Sequence, residues 1–375
     1  MKAFRVLLVV ALGFVAGLPV RSNAQNPERG GAVFLMTNAA NRNQVIAYER
    51  NADGSLQEGQ TFSTGGQGSG GVTDPLGSQG SLTLTQDHRF LLAVNAGSND
   101  VSVFRVFGAT LSLVDRVPSG GTMPVAVAQQ GNLVYVVNAG GTSNVSGFYL
   151  HWRGYLRPIP NSTALLSTAS PGAASLSFDP RGQTLLVTEK TTNNIDAFPI
   201  RFNGTLGPIS ITPSVGPGLF GVLFAPSGVA VTTQTGPAGA QTASAVSSYA
   251  VHRNETLNAI SPDVPTDANA TCWHAVTPDG RFVYTSNPRS TSISGFAISF
   301  QGALTPIAGT VVGSLPAGSV NLDTAVSSDG RFLYTLNSGT GTVGIFGINQ
   351  DGTLTSLGEA GGLTANAGYN GIAAN

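Results

Sequence analysis

A leucine placed just after a tight turn recurs seven times along this chain, at Leu56, Leu111, Leu156, Leu206, Leu257, Leu304 and Leu354. The intervals are 55, 45, 50, 51, 47 and 50 residues. A period of that length identifies a chain of similar supersecondary units, none of which buries its own faces alone. The turn before the leucine is Asp53-Gly54-Ser55 in the first copy, and Gly204-Thr205 and Gly352-Thr353 in later ones. Glycine there supplies the positive φ that a tight reversal needs.

A second motif keeps the same beat. Asp279-Gly280-Arg281-Phe282-Val283-Tyr284-Thr285-Ser286-Asn287 is echoed by Asp329-Gly330-Arg331-Phe332-Leu333-Tyr334-Thr335-Leu336-Asn337. Weaker copies run from Asp87 to Asn95, Gln130 to Asn138, Arg181 to Glu189 and Ser227 to Gln234. An Asp-Gly turn between two apolar, aromatic or β-branched runs predicts a hairpin. Each unit therefore reads as strand a, Asp-Gly turn, strand b, loop, strand c, Gly-x-Leu turn, strand d. Seven such units predict an all-β, seven-bladed β-propeller of four-stranded blades.

Strand a is expected at Ser81–Thr85, Pro124–Ala128, Ala174–Phe178, Phe220–Phe224, Cys272–Thr277 and Asn321–Ser327. The first unit has strand b at Ala32–Thr37 and nothing before it, while Asn370–Ala374 has a strand-a pattern and no strand b after it. The C-terminal strand is thus expected to complete the first blade and close the ring, so that no sheet edge is left at a seam.

Ahead of the ring, Lys2 and Arg5 precede an apolar run from Val6 to Leu18, and Ser22-Asn23-Ala24 offers small residues for cleavage before Gln25. This pattern predicts a signal peptide over 1–24, a short linker over 25–31 and a single propeller over 32–375, exported to the periplasm or outside the cell. The apolar run is short for a membrane span, so no stable membrane insertion is expected. Residues 1–24 hold Lys2, Arg5 and Arg21 and no acid, so their removal moves the formal charge from −1 to −4. A mildly acidic chain lacks the basic footprint that nucleic acid requires. Cys272 is the one cysteine, which excludes an intrachain disulfide and a cysteine-built metal centre. Neither a cofactor nor a metal is implied, and a monomer is expected.

Antiparallel pairing also sorts the loops. The a–b and c–d turns share one face, and the b–c and d–a connections share the other. The second face carries the long segments Gly65–Gly80, Thr235–Ala243 and Pro262–Ala270, where a site is expected. His88, His151 and His252 fall on the tight-turn face, leaving His274 for the mouth of the channel. There it would meet Trp273, Arg289 and Asp323, with Glu189 and Lys190 at the end of strand b in the fourth blade. In one reading His274, Arg289 and Glu189 act on a small polar or anionic ligand, bound also by Trp273, Lys190 and Asp323. In the other, Trp273 and His274 pack against neighbouring strands, and Glu189, Lys190 and Arg289 are solvated loop charges.

The glycine-rich stretches Gly66–Gly71 and Gly339–Gly344 resemble a dinucleotide fingerprint but do not join a strand to a helix, so they are loop glycines. The sequons at Asn144, Asn161, Asn203, Asn254 and Asn269 matter only in a host that glycosylates.

Taken together, Asp-Gly-Arg-Phe-(Val/Leu)-Tyr-x-x-Asn followed by Asp-Gly-x-Leu resembles the lactonase family of seven-bladed propellers, which includes 6-phosphogluconolactonases and carboxymuconate-lactonising enzymes. The resemblance spans the ring and implies a lactonase that opens or forms a small polar or carboxylated lactone. Of the family's functional positions, Arg289 alone is matched, one place late after Pro288. The starts of the inner strands in blades 4 and 5 read Pro171-Gly172-Ala173-Ala174 and Gly218-Leu219-Phe220-Gly221, without the family's His and Arg. That departure leaves open a second reading, a non-catalytic propeller whose loop face binds a glycan, a peptide or an envelope protein.

Overall fold

The computed structural model describes Met1 and residues 30–375, so the expected signal peptide and most of the linker lie outside the described residues. All secondary structure in the described residues is β-strand, arranged as seven antiparallel sheets. Blade 2 shows the plan, with strands Leu82–Leu84, Phe90–Asn95, Asp100–Phe107 and Thr110–Pro118 paired in chain order. Blade 3 departs from it only in its outer strand, which is split into Leu156–Pro158 and Ala164–Leu165.

Ring closure follows the expectation. Asn370–Ala374 pairs antiparallel with Ala32–Met36, with Phe34 opposite Ala373 and Leu35 opposite Ile372. Asn375 extends the seam, since its backbone N–H donates to the Ala32 carbonyl at 3.0 Å and its side chain accepts from the Ala32 N–H at 2.6 Å. The inner strands of blades 4, 5, 6 and 7 are Ala173–Phe178, Leu219–Phe224, His274–Val276 and Asn321–Val326. With Leu82–Leu84, Thr122–Gln130 and the closing strand, they line the central channel.

The two repeated motifs turn out to be halves of one contact between blades. Tyr284 of blade 6 donates its hydroxyl to the Gly352 carbonyl of blade 7 at 2.8 Å. Tyr334 of blade 7 donates to Gly54 of blade 1 at 2.9 Å, and Tyr135 of blade 3 donates to Gly204 of blade 4. Each acceptor belongs to the Gly-x-Leu turn, and a Cβ on Gly352 would lie 2.6 Å from the Phe282 ring. The aromatic pairs of blades 6 and 7 thus seat the turn of the next blade, and in blade 3 Leu133 stands in for the phenylalanine. Burial pushes the phenols of Tyr135, Tyr284 and Tyr334 upward, so they remain hydrogen-bond donors across the accessible pH range.

A polar side chain at the end of strand b forms a second recurring lock. Asn95 donates to Ser102 Oγ at 2.8 Å and accepts from Thr64 of the previous blade at 2.7 Å. Asn287 repeats this with Ser294 at 2.9 Å and Thr271 at 2.6 Å. These amides satisfy backbone and hydroxyl groups that would otherwise be stranded between sheets.

Candidate functional site

The loop face does not open onto an empty channel. The connection from blade 1 to blade 2 crosses the mouth and fills it. Ser78 Oγ donates to the Val125 carbonyl of blade 3 at 2.8 Å, and the Gln79 N–H donates to the Ala174 carbonyl of blade 4 at 3.0 Å. The Gln79 side-chain amide donates to the His274 carbonyl of blade 6 at 2.5 Å, and the Trp273 indole N–H donates to the Ser78 carbonyl at 2.8 Å. Two consecutive residues of the segment therefore bridge three blades across the axis.

That plug separates the residues singled out in the sequence. Trp273 and His274 lie beneath it, fully buried, with the Phe220 ring edge-on to the indole at 4.9 Å. Trp273 has no free face or N–H for a ligand. Among the described residues neither ring nitrogen of His274 makes a well-formed hydrogen bond, and burial lowers its pKa to about 3, outweighing the pull of the Val231 backbone. A neutral imidazole that resists protonation so strongly is a poor base near pH 7. Both residues are packed between neighbouring strands and the plug.

Glu189 is not at the mouth either. It occupies the strand-b position held by Asn95 and Asn287 in their blades, and it is completely buried. Ser167 of blade 3 donates to it through both N–H and hydroxyl, as does the Thr192 hydroxyl. Where blades 2 and 6 set Ser102 and Ser294 opposite, blade 4 sets Asp196. Burial first, then the neighbouring Glu189, drives the Asp196 carboxyl well above the ordinary range, so Asp196 holds its proton near neutrality. The expectation of a solvated or catalytic Glu189 is replaced by that of a seam residue.

Asp323 is also enclosed, at the closing seam. It accepts from the Thr324 N–H at 2.9 Å, and burial raises its pKa to about 7.

The groups that remain at the mouth are Lys190, Arg289 and Asp74, the last of which sequence reasoning passed over. Asp74 is partly exposed and accepts from Gly77 N–H at 2.9 Å and from the Asn370 side chain at 3.1 Å. Burial lifts its pKa to about 6 against the opposing pull of these hydrogen bonds and of Lys190. Lys190 donates to the Gly77 carbonyl and lies 5.5 Å above the Phe220 ring, and burial lowers its pKa. The two side chains flank the Gly77 α-carbon, where a Cβ would sit 2.4 Å from Lys190 Nζ and 4.0 Å from Asp74 Oδ2. They form no direct ion pair.

Arg289 stands exposed in a cleft of about 770 Å³ lined by 235–241, Asn269, Ala270, Pro288 and Val320. Cys272 lies in the chain between Asn269 and Ala270, which line this cleft, and the buried Trp273. Its thiol is raised by burial and by Asp74 and pulled down by Lys190 and Arg289, so all three charges converge on this point. Burial wins, and the thiol stays protonated and unreactive. Among the described residues no three His, Cys, Asp or Glu side chains gather where one metal ion could be held.

The sequence profile of the lactonase family of seven-bladed β-propellers matches residues 27–162. Comparison with curated proteins gave no match. Among solved structures, the periplasmic gluconolactonase PpgL of Pseudomonas aeruginosa superposes with a TM-score of 0.68 at 17% identity, over 91% of this chain and 98% of that one. A candidate 6-phosphogluconolactonase from Bacteroides uniformis gives 0.67 at 18% identity, over 92% and 99%. The hydrazine synthase of Kuenenia stuttgartiensis gives 0.59 at 15% identity, over 89% and 99%, so the ring alone does not dictate the reaction. In profile over residues 27–162, and in fold around the whole ring, this chain resembles the lactonase family of seven-bladed β-propellers.

Proposed function

We propose that the chain is a lactonase-like enzyme whose site lies on the outer surface of the plug, between Asp74, Lys190 and Arg289, and not within the channel. The observation that carries this reading is Asp74, a partly exposed carboxylate with its pKa raised to about 6 beside a lysine in a concave mouth. Its carboxylate takes a proton from water as that water adds to the lactone carbonyl. Collapse of the tetrahedral intermediate breaks the acyl–oxygen bond, and the ring alkoxide takes a proton from Lys190. Arg289, with no ion-pair partner among the described residues, suits a carboxylate or other anionic substituent on the substrate. A substrate with one carboxylate fits this rim better than a phosphate ester, which calls for several cationic donors.

The test is a panel of carboxylated and neutral lactones offered to the purified chain, with Asp74→Asn and Arg289→Ala beside the parent. Hydrolysis that survives both substitutions unchanged sinks the assignment. Export to the periplasm or beyond remains part of the proposal, and it accords with a carboxylated rather than a phosphorylated substrate.

The plug favours one other reading. A mouth filled by the chain's own Ser78 and Gln79 suits a surface that holds a glycan, peptide or envelope protein without chemistry. Turnover of no lactone, together with retention of such a ligand, would decide for it.

A further inference from the structure

The tight-turn face carries a feature that the lactonase reading does not use. The residue four places before each anchoring leucine stands at the tip of a c–d turn: Ala52, Phe107, Trp152, Phe202, Arg253, Phe300 and Gln350. All seven are exposed, and four are aromatic. Phe107 is 63% exposed, Trp152 61%, Phe300 83%, and Phe202 completely so. The turns beneath are tied by bonds such as Gly154 N–H to His151 and Gly204 N–H to Arg201, at 2.7 and 2.8 Å. Gly154, Gly204 and Gly302 sit against the preceding blade, where a Cβ on Gly154 would lie 2.5 Å from Phe90.

Charge on this face is uneven. In blades 2 to 5 the a–b and c–d turns present Arg89, Arg153, Arg181, Arg201 and Arg253 against Asp87, Asp179 and Glu255. Blades 6, 7 and 1 instead set Arg281, Arg331 and Arg50 among Asp279, Asp329, Asp351 and Asp53, with Arg50 tied to Asp329 at 3.1 Å. The cationic excess thus coincides with the three consecutive aromatic tips Phe107, Trp152 and Phe202. The Arg153 guanidinium lies 4.6 Å from the Trp152 ring centroid, joining both characters at one tip.

We propose that this face docks on an anionic lipid bilayer, with the tips of blades 2, 3 and 4 in the headgroup region and the arginines on lipid phosphates. Single aromatic knobs on separate blades, with polar ground between them, make no contiguous apolar patch of the kind a protein partner buries. A fluid interface accepts each knob separately, and aromatic rings with flanking arginines are the chemistry that region favours. Docking in this way leaves the loop face, with Asp74 and Arg289, turned towards solution.

The chain reports on its own docking. It has two tryptophans, of which Trp273 is sealed under the plug and Trp152 is a tip. The full chain is mixed with vesicles of phosphatidylcholine containing about one third phosphatidylglycerol, and with pure phosphatidylcholine. Sedimentation with the anionic vesicles only, a blue shift of emission and quenching by nitroxide-labelled lipid are expected. Phe107→Ser combined with Phe202→Ser changes two exposed tips, and should weaken partitioning about tenfold or more. Absence of vesicle binding overturns the proposal. So does binding in which Trp152 emission stays unchanged, since the N-terminal apolar run alone would then hold the chain. Equal binding by the double variant also overturns it. A dimer lost in the double variant, without vesicle binding, gives the face to a second copy instead.

Discussion

The hydroxyl of Tyr334 in blade 7 donates to the carbonyl of Gly54 in blade 1 at 2.9 Å, joining residues 280 positions apart across the closure of the ring. The same bond links Tyr284 to Gly352 within the chain order, so the closing seam is built like any other. Tyr334→Phe keeps the ring packing and strands the Gly54 carbonyl. A loss of about 1–3 kcal/mol in urea unfolding is expected, as for a buried acceptor left without its donor. An unchanged midpoint would mean that the strand pairing of Asn370–Ala374 holds the seam without help.

The carboxyl pair of Glu189 and Asp196 gives one seam a pH dependence that the amide-bearing blades lack. Asp196 has a folded pKa raised by burial and by Glu189, so the folded chain holds a proton that the unfolded chain releases. Its contribution is therefore fully present below the ordinary carboxyl value of about 4 and is lost as pH rises through the raised one. Asp196→Asn retains an acceptor for the Ser167 N–H and offers Glu189 an amide donor. Melting temperature should fall from pH 5 to about 9 in the parent and fall less in the variant. Parallel curves would show that the pair is not the titrating group.

Gly221 marks the tightest point under the plug. A Cβ there would lie 2.3 Å from Gln79 Oε1 and 2.9 Å from His274 Nδ1. Gly221→Ala should displace the Gln79 side chain and cost about 1–3 kcal/mol through overpacking. Read in a Trp152→Phe background, where Trp273 is the sole emitter, acrylamide quenching should rise as the plug loosens. Quenching at the parent level would show that the segment is held elsewhere, by Ser78 and Lys190.

The contrast between ring and plug shows which kinds of structure a sequence discloses. Turn glycines and alternating strands are local, and their repetition located six inner strands and the closing one within a few residues. The seam residue Glu189 was legible in principle. Asn95 faces Ser102 and Asn287 faces Ser294 at the same offset, which sets Asp196 against Glu189. The plug was not legible. Its Ser78 and Gln79 follow no period, and their partners Trp273 and His274 lie 195 residues away in the chain. Depth along the channel axis is fixed only by such contacts. For this reason His274 could be placed on the correct face and still be sealed from it.

Asp74 offers the sharpest test of the proposed site, because its raised pKa sets a pH profile that its own substitution should remove. The base form is the carboxylate, and burial places its pKa at about 6. Lactone hydrolysis should therefore rise with pH through about 6 and level off above it, the direction expected of a group that must be deprotonated to act. Asp74→Asn should abolish that limb and lower the rate about 10²- to 10⁴-fold, the usual share of a positioned general base. Arg289→Ala should act differently, raising KM for a carboxylated lactone while leaving the position of the limb and the rate on a neutral lactone unchanged. His274 cannot produce the limb, since its pKa of about 3 keeps the imidazole neutral throughout the range. A profile whose midpoint persists near 6 in Asp74→Asn would move the base to another residue and remove the argument for a site above the plug.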